Sequence, residues 1–212
     1  IEINGGIITA TGGSGGGNAL GGGHSGSGGI ITVNGGTILA KAHEDKAGLS
    51  ISQNTKFVSG LDSSAIVMAE SIGNGIDLSG FNGIIKQGST YTVYGSANLA
   101  TNLEIQSGET MQIDAGKTLT ISEGITLTNE GAIIVENGGA LANKGTIDGS
   151  GNVLVDTYYL NTDNETADQQ ANLVNTGSTT WTGSDPDGGW YVVQGEVDIN
   201  SRVNVSGTVN LI

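Results

Sequence analysis

The chain has 212 residues, of which 36% are apolar and 4% aromatic, with 38 glycines and one proline. That is too little bulky apolar material for a globular core of large side chains, and the lack of a strict glycine triplet excludes collagen. A net charge of −14 with only seven basic residues argues against nucleic acid and anionic membranes as partners, because phosphate contact needs clustered Lys and Arg.

Cysteine is absent, so disulfides and thiolate metal sites are excluded. No apolar run approaches the roughly 20 residues of a membrane span, so no membrane insertion is expected. Short alternating runs of Ile, Val, Leu and Thr distinguish the chain from a disordered one.

The first feature is a repeat. "IEINGGIITA" at 1–10 returns as "ITVNGGTILA" at 31–40, so Asn4, Gly5, Gly6, Ile8 and Ala10 match Asn34, Gly35, Gly36, Ile38 and Ala40. Between the copies, "TGGSGGGNALGGGHSGSGG" reads as tight turns and loops, since glycine tolerates positive φ and close backbone approach. The alternative is a flexible linker, but "NAL" is apolar where a pure linker needs nothing apolar. Residues 41–95 are less regular, with strand-like "SAIVMA", "NGIIKQG" and "TYTVYGS" and a polar loop at "HEDKAG".

Residues 103–157 show a shorter rhythm. Runs of about four β-favouring residues alternate with turns at Ser107-Gly108, Ala115-Gly116, Glu123-Gly124, Glu130-Gly131, Asn137-Gly138, Lys144-Gly145 and Ser150-Gly151. Hairpins at that spacing would give a meander. Superposition at an offset of 22 residues instead places apolar residues on apolar residues. Leu103 falls on Ile125 and Ile147, Met111 on Ile133 and Val155, Ile113 on Val135, and Leu119 on Leu141. That is the pattern of a coil in which each turn carries three short strands and stacks on the next at about 4.8 Å. Small and β-branched residues suit so narrow a core. The expected fold is therefore all-β: a right-handed parallel β-helix, or solenoid, with three short strands per rung. Three regions are expected: glycine-rich rungs with long loops over 1–95, regular 22-residue rungs over 96–157, and an irregular loop region followed by strands over 158–212. Within the last, "NTDNETADQQANLVN" is the one stretch that reads as a helical turn. Strand patterns at both ends suggest a segment of a longer repetitive chain.

"NALGGGHSGSGGIITVNGGTILA", "FNGIIKQGSTYTVYGS", "IDAGKTLTISEGITLTNEGAI", "GTIDGSG" and "WYVVQGEVDINSRVNVSGTVNLI" together resemble the recurring blocks of large, repetitive bacterial cell-surface proteins of adhesin-like type, with parallel β-helix regions. The resemblance implies an extracellular location at the bacterial surface and a stalk or adhesion role, with host or microbial glycans or surface proteins as partners. It carries over no catalytic residues.

Candidate sites are few. Asp114 and Glu136 lie 22 residues apart, so adjacent rungs bring two carboxylates close, but both sit beside turns, where acids are simply solvated, and no base-orienting partner is evident. His24 and His43, the latter near Glu44 and Asp45, lack a diagnostic metal-ligand spacing. Asp163, Asp168, Asp185 and Asp187 offer hard oxygen ligands of the kind Ca²⁺ takes, without the EF-hand pattern. Trp181, Trp190 and Tyr191, with Tyr158 and Tyr159 nearby, are the glycan-stacking candidates, and the competing reading is that they cover a rung or pack a loop. The Asn164 and Asn204 sequons are short patterns with many chance matches. No catalytic constellation emerges, so the expected function is a non-enzymatic spacer or adhesion module. The alternative is a carbohydrate-binding or polysaccharide-cleaving β-helix.

Overall fold

The computed structural model describes residues 1–22, 26, 28–43, 50–160, 166–173, 180–183, 189–192, 204–207 and 209–211. Among them there is no helix, and stacked parallel strands form a β-solenoid of about six turns. An eleven-stranded sheet runs through the whole series, flanked by one four-stranded, two three-stranded and one two-stranded sheet. The stretch expected to form a helical turn is instead the strand Thr166–Leu173. Its pairing along the neighbouring strand Asn152–Leu160 outweighs a weak local preference.

Residues 90–148 give three coils of three strands each. One coil is Thr110–Ile113, Thr118–Ile121 and Thr126–Asn129. Alternation does the work: Leu119, Ile121 and Leu127 point inward and are fully buried, while the intervening threonines face out. The columns Met111–Ile133, Ile113–Val135 and Leu119–Leu141 form as the 22-residue offset predicts. Two predicted columns are corrected. Leu103 stacks on Leu127, not Ile125, and Leu127 stacks on Ile147. Ile133 stacks on Val153, while Val155 belongs to the column of Val135. Successive steps on one side are 24 and then 20 residues. The average is right, but corner length varies from coil to coil, so Ile125 falls at a turn, where its N–H donates to the Ser122 carbonyl.

The first part of the chain winds in coils of uneven length, two long and one short. Ile7–Thr11 pairs with Gly35–Lys41, which pairs with Ser64–Ala69 and then Gly83–Gln87. The third side is reduced to isolated bridges, Leu20 to Ile51 to Ile72. The opening repeat is explained here. Asn34 donates its Nδ2 to Asn4 Oδ1 at 2.8 Å, and Asn34 Oδ1 accepts from the Gly60 N–H at 3.1 Å. The corner continues where Asn82 donates to the Gly60 carbonyl at 3.1 Å. The repeated Asn-Gly-Gly is thus one corner, built twice and tied rung to rung.

The chain then reverses. Gly83–Gln87 and Thr90–Tyr94 form an antiparallel hairpin inside the eleven-stranded sheet, with Gln87 opposite Thr90. The core changes face at the same point. Val67 and Ile85 belong to a core on one side of the sheet, with Ile38 and Phe57. Their neighbours Ile66, Ile84 and Val93 belong to a second core on the other side, with Met111 and Leu119. Direction and interior face change together while the rungs keep advancing, so both halves wind in the same sense. Strands at the changeover are buried on both faces, which is why "AIV" and "GII" are apolar without alternation. Aromatic residues collect there. Phe57 and Phe81 meet edge-on at 5.8 Å between ring centres, and Phe81 lies 6.2 Å from Tyr94. Tyr91 is buried at the start of the second core. A second antiparallel pairing, Asn152–Leu160 with Thr166–Leu173, reverses the chain again.

Candidate functional site

The outer face of the large sheet carries a line of polar side chains. Ile113 pairs with Val135 and Val135 with Val155, so the following residues Asp114, Glu136 and Asp156 succeed one another on adjacent rungs. The expected Asp114–Glu136 adjacency is therefore part of a longer row. Glu136 is engaged within it: Oε1 accepts from Gln112 Nε2 at 3.1 Å, and Oε2 from the Ala115 N–H at 3.4 Å. Asp156 Oδ1 accepts from Gln170 Nε2 at 3.1 Å.

The row ends at a cleft. Asn152–Leu160 is nine residues long, but only Asn152 to Val155 pair with the rung below. Its remainder pairs with Thr166–Leu173 as a two-stranded ribbon, with Asp156 opposite Gln170 and Tyr158 opposite Asp168. Alternation puts these four residues on one ribbon face. Together with Glu136 and Asn137 of the coil below they line a cleft of about 470 Å³. Tyr158 is 51% exposed. Of this group, sequence reasoning singled out Tyr158, Asp168 and Glu136 but placed them in three separate hypotheses. Asp156 and Gln170 were missed, and only the ribbon's pairing register could have found them.

The other expected residues lie elsewhere. Trp190 is half-buried and packs against the second core, and Tyr191 is buried. Trp181 is on the strand Thr180–Gly183, which pairs with Asn204–Gly207. His43 is half-buried at the end of the strand Gly35–Lys41. His24, Asp163, Asp185 and Asp187 lie outside the described residues, as do Glu44, Asp45 and Asn164. Among the described residues no group of three His, Asp or Glu side chains is placed to hold a metal ion.

One polar cluster was not foreseen. Lys86 forms an ion pair with Glu109 and lies 4.6 Å from the centre of the Tyr91 ring. Tyr91 donates its hydroxyl to the Glu104 carbonyl at 3.2 Å. Partial burial disfavours both charges, but their mutual hydrogen bond and that from the Gln106 N–H outweigh it, so Glu109 is lowered and Lys86 raised from their ordinary pKa values. Burial pushes the Tyr91 phenol up. The three groups close the mouth of the second core where it begins. A second pair, Lys56 and Asp77 at 2.8 Å, ties adjacent rungs on the outside. Lys56 and Ser79 hold the Asp77 carboxyl well below the usual range.

Neither a protein-family model, a curated protein nor a solved structure matches the chain. Fold and side-chain chemistry therefore carry the functional argument: a β-solenoid with a concave polar site beside its second reversal.

Proposed function

We propose that the chain is a non-enzymatic spacer and adhesion module of an extracellular bacterial surface protein. The observation that supports this reading is the continuous eleven-stranded sheet. At about 4.8 Å per rung it gives a body on the order of 50 Å along the stacking direction. Length gained by adding rungs needs no unique reactive residue in any of them. The row Asp114, Glu136, Asp156 fits that role as well, since two of its carboxylates are engaged in rung-to-rung or cross-strand hydrogen bonds. The location follows the resemblance of the glycine-rich blocks to surface proteins.

Small-angle scattering tests the spacer. An elongated particle is expected, and a compact near-spherical one would refute it. Incubation with neutral and acidic polysaccharides, with and without calcium, should give no cleavage. Turnover lost on Asp114→Asn or Glu136→Gln would make the enzyme reading the better one.

A further inference from the structure

We propose that the cleft between the ribbon and the coil below it is a binding subsite for a neutral, hydroxyl-rich saccharide chain, with the Tyr158 ring as its stacking platform. The inference rests on the adhesion part of the reading above and gives it a location and a ligand class.

The cleft has the two elements such a ligand needs. One is an exposed aromatic ring: Tyr158 is 51% exposed in the part of its strand that is paired on one side only, to the ribbon partner Thr166–Leu173. An amphipathic ring so placed binds the apolar face of a pyranose. The other is a set of polar groups around it that both donate and accept. Asp168 is its direct cross-strand partner, and Asp156 and Gln170 form the next pair on the same ribbon face. Glu136 and Asn137 face them from the turn below. Carboxylates accept and amides do both, which matches the hydroxyls of a sugar. A few convergent polar groups beside an apolar platform is the general composition of a small-ligand site.

Charge decides which saccharide. Glu136, Asp156 and Asp168 line the cleft and no Lys or Arg does, on a chain of net charge −14. Uronates, sulfated chains and sialylated chains are repelled by such a lining. Two of the three carboxylates already accept hydrogen bonds from Gln112, Ala115 and Gln170. That fixes their orientation and leaves them as partial acceptors for hydroxyl donors.

The test uses the full chain and titration calorimetry with neutral gluco-, galacto- and manno-oligosaccharides, with oligogalacturonate and oligolysine as charged comparisons. Binding to a neutral oligosaccharide is expected, unchanged by EDTA and little changed by added salt. Tyr158→Ala should weaken it by about tenfold, the scale of a lost aromatic contact. Tyr158→Phe, which keeps the ring, should bind nearly as the parent does and guards against a folding defect in the alanine variant. No binding across the neutral panel overturns the proposal. So does binding indifferent to Tyr158→Ala, or a preference for oligolysine that salt abolishes. None of these outcomes alters the scattering test of the spacer, so the two readings fail separately.

Discussion

Gly36 and Gly116 both have positive φ, +88° and +72°, yet they answer to different constraints. A Cβ on Gly116 would meet nothing within 4 Å, whereas one on Gly36 would lie 2.4 Å from the Gly6 carbonyl oxygen of the coil below. Gly116→Ala should therefore cost only the left-handed backbone penalty, about 1–2 kcal/mol. Gly36→Ala should cost about 2–4 kcal/mol, because the rungs must also separate. Urea midpoints of the two variants check this, and equal shifts would show that the Asn-Gly-Gly corner is not tightly stacked. Glu109 gives a pH test at the same scale. Its folded pKa is lowered, so its stabilisation is present above the ordinary carboxylate range and is lost as pH falls through the folded value. Lys86 is raised, so its share is present below the ordinary lysine value and is lost as pH rises through the folded one. Glu109→Gln should thus lower stability at neutral pH by about 1–3 kcal/mol, and parent and variant should converge in acid. A stability gap that persists unchanged at pH 3 would remove the ion pair as its cause. The glycine turns were legible in sequence because turn chemistry is local. The Lys86–Glu109–Tyr91 cluster was not, because Lys86 faces Tyr91 only once the hairpin pairs antiparallel, and Glu109 joins them from the next coil.

Along a single element, the decisive fact is which face a residue takes. Ile133 is fully buried in the column of Tyr91, Met111 and Val153. Ile133→Ala should cost about 2–5 kcal/mol, while the exposed Lys144→Ala should stay within about 0.5 kcal/mol. Similar urea midpoints for the two would contradict a packed column. The periodicity that identified Ile133 also misplaced Ile125 and Val155. A fixed offset of 22 misses corners that change length: around Ile125 one step of 24 is followed by one of 20, and at Val155 a step of 22 is followed by one of 20. The hairpin at Gly83–Tyr94 was hidden for another reason. "GIIKQ" and "TYTVY" read as strands whether they pair parallel or antiparallel, and the two-residue Gly88-Ser89 connection was the one signal for a hairpin. The ribbon that forms the cleft was harder still. "TADQQANL" has no apolar alternation over its first half, and its strand state comes from its partner rather than from its own pattern.

For the whole molecule, the consequence of the reversal is that two cores share their middle strands. In an ordinary solenoid each rung touches only its neighbours, and a local defect spreads by nearest-neighbour coupling. Here Ser64–Ala69 and Gly83–Gln87 supply Val67 and Ile85 to the first core, and Ile66 and Ile84 to the second. A cavity at Ile38, buried in the first core alone, should raise amide exchange over 30–41 and its adjoining rungs and leave 110–143 protected. A cavity at Ile133 should do the converse. Ile84→Ala sits in a strand whose opposite face closes the first core, so its loss should raise exchange on both sides of the hairpin, over 35–69 and over 90–113. The physical reason is that a strand cannot detach from one core while remaining paired and packed in the other, so local opening there exposes both. Hydrogen exchange on the three variants separates the possibilities. If Ile84→Ala loosens only the second half, the two cores are independent solenoids that happen to abut, and the shared sheet is a seam. If it loosens both while Ile38→Ala and Ile133→Ala each stay local, the reversal is the keystone of the rod, and its bulky aromatics, Phe57, Phe81, Tyr91 and Tyr94, are concentrated where one sheet must hold two interiors.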